Sequence, residues 1–331
     1  MVISRTPFRI SFFGGGTDYP AWYKNNGGAV ISATINKYSF VTARLLPPYF
    51  NYKNIFRYYL REEVNNLDEI KHPSIRECLK FLNYSKGVEI VHHADIPAQS
   101  GMGSSSTFTV GLLNALYGLN NYMPTKRELA INAIHIEQQK IKENVGSQDQ
   151  TAAAFGGLNR IDFGGNEEIF VTPIIISSER IKELQDNFML FFSGFPRNAT
   201  DIASEQIISI PNKTVELREM MTLLEEGFSI LKNNSSLDEF GKLLNIQWQL
   251  KRSMSSKITT NQIDDIYEKG LKAGALGGKL LGAGGGGFIL FYVKPEMQEA
   301  IKNVFSKLLY VPFRFEFTGS QIIYHSHDNN F

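Results

Sequence analysis

Cysteine is nearly absent from this chain, which has one, Cys78, among its 331 residues. A single cysteine cannot form an intramolecular disulfide, and no cysteine and histidine spacing in the sequence is typical of a zinc site. Cys78 lies in a short helical pattern, so we expect a buried side chain without a chemical role. Such scarce cysteine is typical of a protein from a reducing compartment.

Long apolar runs and long runs of one charge are also missing. The sequence opens without the apolar run of a signal peptide and has no segment long enough to cross a bilayer, so we expect a cytoplasmic protein without a membrane partner. Lysine plus arginine (34) nearly balances aspartate plus glutamate (33), and this balance predicts no nucleic-acid surface. The sequence leaves the oligomeric state open.

Glycine is plentiful, with 28 residues, and one glycine-rich stretch, residues 97–106, precedes a helical pattern. The apolar residues that recur at helical spacing behind it are Phe108, Leu112, Leu116 and Leu119. The stretch therefore reaches a helix N-terminus, where free N–H groups and the helix dipole attract anions such as nucleotide phosphates. It is neither a Walker A motif nor G-x-G-x-x-G, and on its own such a loop is often a solvated turn. The predicted phosphate-binding residues are Pro97, Ser100, Gly101, Met102, Gly103, Ser104, Ser105 and Ser106.

An acidic residue falls on the apolar face of the next predicted helix. Residues 125–128 have the pattern of a capping box, with Thr125 at the N-cap and Glu128 three residues later. The apolar face of this helix carries Leu129, Ala133, Ile134 and Ile141, and Glu137 lies on the same face. An ionised carboxylate that points inward requires a cation or strong hydrogen-bond donors.

The chain exceeds the size at which one core usually suffices, so we expect two domains, 1–180 and 181–331, of the α+β class. The last third alternates strands and helices, which favours a split βαβ or ferredoxin-like unit. The patterns predict strands at 29–34, 39–45, 88–92, 279–281, 288–293, 313–317 and 321–325, and helices at 215–231, 237–250, 262–271 and 295–309.

Three separated segments resemble the GHMP kinase superfamily, which includes galactokinase, homoserine kinase, mevalonate kinase and phosphomevalonate kinase. They are residues 5–19 (RTPFRISFFGGGTDY), 97–106 (PAQSGMGSSS) and 282–288 (GAGGGGF), and they occur in the order of that family over nearly the whole chain. The resemblance implies a two-domain GHMP kinase fold, with an N-terminal ribosomal-protein-S5-domain-2-like part and a C-terminal ferredoxin-like part. It also implies ATP and Mg²⁺ as cofactors.

Within the superfamily the sequence is similar to D-glycero-D-manno-heptose 7-phosphate kinases, at residues 5–20, 72–77 (HPSIRE) and 278–288 (GKLLGAGGGGF). This similarity implies ATP-dependent phosphorylation of the anomeric hydroxyl of the heptose 7-phosphate. The product, the 1,7-bisphosphate, serves nucleotide-heptose and surface polysaccharide synthesis. An L-fucose or other hexose 1-kinase is an alternative, and a catalytically silent sugar and ATP sensor is another.

The resemblance also implies roles for individual residues. Asp149 matches the catalytic aspartate of the superfamily, which accepts the proton of the attacking hydroxyl, and Arg9 matches the basic residue beside it. We expect Ser147 to cap the helix that carries Asp149. Glu137 matches the acidic metal ligand, and Ser105, or else Ser104, would hold Mg²⁺ with it.

The sugar side of the site is implied by the first and third segments. Asp18 matches the sugar-binding aspartate of galactokinase-like members, while Gly15-Gly16 replaces a Glu-His pair of galactokinase and leaves room for a larger, phosphorylated sugar. A second phosphate requires a cation, for which Arg197 is our first choice and Lys279 our second. The predicted substrate-binding residues are Gly15, Gly16, Thr17, Asp18, Arg197, Gly284 and Gly285. We expect His92 and His93 to be structural.

Overall fold

The computed structural model of the protein describes residues 1–165, 168–194, 199–233 and 235–326. The helices in these ranges are α1 (Pro20–Asn26), α2 (Pro73–Phe81), α3 (Ser104–Leu119), α4 (Lys126–His135), α5 (Gln148–Phe155), α6 (Ser178–Asp186), α7 (Ala199–Ser209), α8 (Thr214–Lys232), α9 (Leu237–Arg252), α10 (Asn261–Lys272) and α11 (Gln298–Val304). The strands are β1 (Val2–Phe13), β2 (Gly28–Leu45), β3 (Asn54–Arg57), β4 (Arg61–Val64), β5 (Val88–Ala94), β6 (Leu158–Phe163), β7 (Ile169–Pro173), β8 (Phe188–Phe192), β9 (Gly277–Leu280), β10 (Phe288–Tyr292), β11 (Leu309–Tyr310), β12 (Phe315–Glu316) and β13 (Gln321–His325).

The first sheet has nine strands and is built around the long strand β2. Its order is β13-β1-β2-β5-β3-β4, with β6 and β12 also pairing with β2 and β7 pairing with β6. The predicted strands at 29–34 and 39–45 are two parts of β2, whose pairing with β1 shifts register between Pro7 and Phe8. With this shift, the continuous strand β2 can pair with different strands along its length.

The second sheet has four antiparallel strands in the order β11-β8-β10-β9. The predicted helices at 215–231, 237–250 and 262–271 correspond to α8, α9 and α10, and the predicted strands at 279–281 and 288–293 correspond to β9 and β10. The helix predicted at 295–309 is shorter than expected, because β11 begins at Leu309 and pairs with β8. The mixture of sheets and helices confirms the α+β class.

The last two strands return to the first sheet. β12 pairs with β2 and β13 pairs with β1, although both lie in the predicted second domain of residues 181–331. The pairing covers an edge of β1, whose backbone N–H and C=O groups would otherwise lack partners. The C-terminal segment therefore does not follow the predicted division at residue 180.

A shared apolar core joins the two sheets. The rings of Phe12 in β1 and Phe188 in β8 stack with centroids 5.2 Å apart, and Phe240 of α9 contacts Phe12 edge-on at 5.6 Å. Cys78 is fully buried, and burial raises the pKa of its thiol, so the prediction of a buried side chain is confirmed. None of the helices within the described ranges combines the length and apolar character needed to span a bilayer.

Candidate active site

A cavity of about 500 Å³ brings together the three glycine-rich segments of the sequence. Its wall includes Arg9 and Asp18 from the first segment, Gly101 from the second, and Gly282 from the third. Residues more than 270 positions apart in the chain thus face one space of the size that binds small molecules.

Arg9 and Asp149 form a two-pronged ion pair at the cavity wall. Arg9 Nε donates to Asp149 Oδ1 at 2.8 Å and Nη2 donates to Oδ2 at 2.9 Å, while Nη1 donates to the carbonyl of Gly101 at 2.8 Å. The Arg9 side chain is buried, whereas the Asp149 side chain is 25% exposed. The guanidinium therefore orients the carboxylate, which keeps a face toward the cavity.

Asp149 lies in the first turn of α5, but the expectation that Ser147 caps this helix is wrong. No side-chain bond caps the helix from Ser147, whose hydroxyl instead pairs with Tyr23 Oη at 3.1 Å and accepts from Gln138 Nε2 at 3.1 Å. Its φ of −102° and ψ of 0° differ from the extended backbone of a capping residue. Ser147 instead attaches the start of α5 to its neighbours.

The loop of residues 97–106 ends at the N-terminus of α3. Gln99, Gly101 and Gly103 have positive φ, and no side chain in the described ranges caps the helix, which starts at Ser104 after Gly103. The first N–H groups of a helix have no partner within the helix, so they can bind an anion here. A Cβ on Gly103 would lie 3.1 Å from Asp149 Oδ2, which shows how closely the loop approaches the carboxylate.

Glu137 is fully buried beneath this loop, in a π-helical turn (Ile136–Ile141) that continues α4. Its Oε2 accepts from Ser106 Oγ at 2.7 Å and from Gln150 Nε2, whereas Oε1 has no hydrogen-bond partner among the described residues. Burial raises the pKa of this carboxyl to about 7. The predicted inward position is confirmed, and the unpaired carboxylate oxygen suits a cation.

The serine that donates to Glu137 is Ser106, and the role of Ser105, or else Ser104, as a ligand of Mg²⁺ stays a prediction. Ser106 is buried and also lines the cavity, while Ser105 is exposed on the same wall. No cluster of three or more histidine, cysteine, aspartate or glutamate side chains in the described part of the chain could hold a metal ion. The Glu137 carboxylate and the serine hydroxyls near it nevertheless fit Mg²⁺, because this ion typically takes few protein ligands beside phosphate and water.

Asp18 lines the same cavity as the phosphate loop and is buried. Its Oδ1 accepts from the backbone N–H of Gly16 at 2.9 Å, and burial raises the pKa of the carboxyl. A Cβ on Gly146 would lie only 1.8 Å from Asp18 Oδ2, so this position must be glycine. The Thr17 hydroxyl is fully buried and donates to the carbonyls of Gly14 and Ala29, so it holds the turn that carries Asp18.

The third glycine-rich segment packs against two other loops. The N–H of Gly285 donates to the carbonyl of Ile258 at 2.9 Å, and a Cβ on Gly284 would lie 2.6 Å from the same oxygen. A Cβ on Gly287 would lie 2.1 Å from the carbonyl oxygen of Ser100. The segment therefore approaches the phosphate loop closely, and the members of this run that line the cavity are Gly282 and Ala283.

Of the two cations predicted for substrate binding, Arg197 and Lys279, neither is among the described residues that line the cavity, whereas a third basic residue is. Arg197 lies outside the described residues. Lys279 is buried and its Nζ donates to the carbonyl of Phe12 at 2.8 Å, so its assignment to a second phosphate is wrong. Lys251, which the sequence reasoning missed, lines the cavity from the last turn of α9. No local motif marks it, because α9 reads as an ordinary amphipathic helix.

Aromatic side chains next to the phosphate loop were not predicted to face a nucleotide: Phe108 was assigned only to the helix, and His92 was expected to be structural. The rings of His72 and His92 lie 4.9 and 4.6 Å from that of Phe108, and Tyr58 contacts His72 at 4.9 Å. Burial lowers the pKa of His92 to about 4 and also lowers that of His72, so both imidazoles are neutral at pH 7. These residues come from four separate elements and loops, and their rings meet edge-on or tilted to form an uncharged aromatic wall suited to a nucleobase.

Both domains of one known protein family match the chain. Residues 72–157 match the GHMP kinases N terminal domain, and residues 218–311 match the GHMP kinases C terminal domain. The first range contains the phosphate loop, Glu137 and Asp149, and the second contains Lys251 and the third glycine-rich segment.

Individual relatives cover most of the chain. The D-glycero-alpha-D-manno-heptose 7-phosphate kinase of Campylobacter jejuni subsp. jejuni serotype O:2 is 29% identical in an alignment of 304 positions that covers 88% of the chain and 89% of that protein. The L-fucokinase/L-fucose-1-P guanylyltransferase of Bacteroides fragilis is 25% identical in a gapped alignment of 346 positions that covers 91% of the chain and 35% of that protein.

A solved structure shares the whole fold. The crystal structure of a D-glycero-D-manno-heptose 1-phosphate kinase from Bacteroides thetaiotaomicron superposes with a TM-score of 0.74 at 23% identity, over 98% of the chain and 100% of that structure. This likeness, together with the two family matches, confirms the predicted two-domain fold.

Proposed function

Because the chain belongs to the GHMP kinase family, whose members take ATP as phosphate donor, we propose that it phosphorylates the anomeric hydroxyl of D-glycero-D-manno-heptose 7-phosphate. The product is the 1,7-bisphosphate, for nucleotide-heptose and surface polysaccharide synthesis. The observation that carries the proposal is the convergence of three glycine-rich segments and the Arg9–Asp149 pair on one cavity. The 29% identity to a heptose 7-phosphate kinase supports this choice of sugar.

ATP would occupy the side of the cavity formed by the phosphate loop and the aromatic wall. The uncapped N-terminus of α3 offers N–H groups and the helix dipole to the phosphates. Neutral His72 and His92, with Phe108 and Tyr58, offer ring faces to the base. This arrangement directs the γ-phosphate toward Gly103 and hence toward Asp149.

Glu137 Oε1 and the hydroxyls of Ser105 and Ser106 are the groups of this chain that would hold Mg²⁺. The chemistry that the ion would supply there is neutralisation of the negative charge on the phosphates. The buried carboxylate oxygen without a partner supports this assignment, because an unpaired buried charge is costly without a cation.

Asp149 would accept the proton of the attacking hydroxyl. The C1 oxygen of the sugar bonds to the γ-phosphorus, the bond from that phosphorus to the β,γ-bridging oxygen breaks, and ADP leaves with the electron pair. The proton of the hydroxyl passes to a carboxylate oxygen of Asp149. Arg9 orients that carboxylate, holds the loop through Gly101 and offsets charge on the transferring group.

Asp18 would position the sugar, since carboxylate oxygens accept hydrogen bonds from adjacent hydroxyls. Its burial and its bond to Gly16 hold it on the cavity wall. Gly15 and Gly16 leave space beside it for the distal part of a seven-carbon sugar.

The test is ATP consumption with Mg²⁺ over a panel of D-glycero-D-manno-heptose 7-phosphate, mannose 6-phosphate, fucose, galactose and mevalonate. Phosphorus NMR identifies the product. We expect a preference for the heptose phosphate with new phosphate on C1. Turnover of fucose or galactose alone would replace this substrate by a plain sugar, and tight binding of sugar and ATP without turnover would favour the sensor.

A further inference from the structure

The end of the cavity near Gly15 contains a cation that the transfer step does not use. Lys251 lies in the last turn of α9, is 7% exposed and lines the cavity. Its Nζ donates to the carbonyl of Gly282 at 2.8 Å. This bond holds the ammonium at the wall of the cavity.

Two further polar side chains share this space with Lys251. A Cβ on Gly15 would lie 3.9 Å from Lys251 Nζ, 3.9 Å from Gln148 Nε2 and 3.6 Å from Ser11 Oγ. Ser11 is 5% exposed, and its hydroxyl has no hydrogen-bond partner among the described residues. Gln148 also lines the cavity, and its Nε2 is an N–H donor. Buried polar groups without partners indicate a missing ligand.

The position of Asp18 connects this polar group to the reacting end of the site. Asp18 interacts electrostatically with both Asp149 and Lys251. A sugar held by Asp18 with its anomeric hydroxyl at Asp149 can therefore extend its other end toward Lys251. The absence of a side chain at Gly15 leaves the space between Ser11 and Lys251 open to that end.

We propose that Lys251, with Ser11 and Gln148 around Gly15, binds the phosphate monoester at the distal end of the sugar and determines specificity for a phosphorylated substrate. The inference rests on the proposed function. The ammonium supplies the counter-charge, and the hydroxyl and amide supply neutral donors. Lys279 does not substitute, because among the described residues it is not one of those that line the cavity, whereas Lys251 is.

The first test compares K251M with wild type on heptose 7-phosphate and on the same heptose without phosphate. A lost hydrogen bond to a charged group lowers affinity roughly 10- to 100-fold. We expect the ratio of kcat/KM for the two sugars to fall by that factor, mainly through a higher KM for the phosphorylated sugar. K242M is the matched control, because Lys242 lies on the same helix and is exposed, paired with Glu239. For K242M, the ratio of kcat/KM for the two sugars should equal the wild-type ratio.

A second variant, G15A, covers the case in which K251M does not fold. Gly15 is not among the glycines with positive φ, and the nearest atom to a new Cβ is 3.6 Å away, so alanine fits the backbone. The methyl group nevertheless enters the proposed phosphate space. The same ratio should fall, while the melting temperature stays within a few degrees of wild type.

The results separate this inference from the proposed function. Suppose that wild type prefers the phosphorylated heptose, but K251M and G15A keep the wild-type ratio of kcat/KM for the two sugars or lower kcat/KM equally for both. The Lys251 assignment is then overturned, while the proposed function stands. If wild type phosphorylates only sugars without phosphate, the proposed substrate fails and this inference fails with it.

Discussion

At the scale of single residues, the pairing of Asp149 with Arg9 is the feature on which turnover depends most. D149N keeps an acceptor for the guanidinium but cannot accept a proton, so we expect kcat to fall about 10²- to 10⁴-fold. ATP binding, measured by calorimetry, should persist because the phosphate loop is unchanged.

The control for this variant is D162N, since Asp162 forms a similar pair with Arg160. The D162N protein should have wild-type kcat. Near-normal turnover of D149N would remove Asp149 as the proton acceptor.

Glu137 makes stability depend on pH. In metal-free protein the ionised carboxylate is buried, so its pKa in the folded state, about 7, exceeds the ordinary 4.5. The folded state then holds a proton that the unfolded state releases, and the free energy of unfolding falls as pH rises from about 4.5 through about 7, by roughly 3 kcal/mol. E137Q should lack this fall, as measured by urea unfolding with EDTA at pH 5 and pH 8.

A second measurement uses Mg²⁺ with ATP. Their addition should raise the melting temperature of wild type more than that of E137Q, because the glutamine amide is a weaker ligand. Equal pH dependence of unfolding in both proteins would contradict the burial argument.

At the scale of elements, the contact between the third glycine-rich segment and the phosphate loop sets the shape of the nucleotide side. Gly287 has a φ of +103°, and a Cβ there would lie 2.1 Å from the carbonyl oxygen of Ser100. G287A should therefore displace the loop, weaken ATP binding and lower the free energy of unfolding by at least about 1–2 kcal/mol.

Gly194 provides the matched control for this substitution. Its φ is +75°, but no atom of the described residues lies within 4 Å of a new Cβ, so we expect G194A to have only the conformational cost of about 1 kcal/mol. Calorimetric ATP affinity should drop in G287A and persist in G194A. Equal affinities in the two variants would show that the contact with Ser100 does not position the loop.

At the scale of the whole molecule, Lys279 joins the two sheets that enclose the cavity. It extends from β9 to the carbonyl of Phe12 in β1, and burial lowers the pKa of its ammonium well below the ordinary 10.5. The unfolded state thus binds a proton that the folded state releases, so this group makes the free energy of unfolding rise with pH until the ordinary pKa is reached.

K279M removes the titrating group from this junction. The free energy of unfolding of wild type should increase relative to that of K279M between pH 8 and pH 10, as measured by urea unfolding. K269M, which changes an exposed lysine of α10, should show no such trend relative to wild type. A constant difference between wild type and K279M would mean that the amine does not titrate in that range.

Much of the fold follows from local patterns in the sequence. The N-cap at Thr125 is an example, since its hydroxyl accepts from the N–H of Glu128 at 3.1 Å as predicted, although the Glu128 carboxylate accepts from Tyr122 Oη instead of completing the capping box. The start of α3 and the spans of α8, α9 and α10 likewise match helical periodicity. These features depend on residues within one or two turns of each other, so short-range physical chemistry suffices to predict them.

The remaining features depend on packing between distant parts of the chain. The sequence by itself determined the elements, the α+β class and the residue types of the phosphate loop and of Glu137. Only the tertiary structure decided that Ser106 contacts Glu137, that Lys279 is buried against Phe12, and that Lys251 faces the cavity. The tertiary structure also decided that β13 pairs with β1, because an open sheet edge pairs with the strand that the fold brings near it. Distances of this kind arise from how the two sheets pack, and no short stretch of sequence contains them.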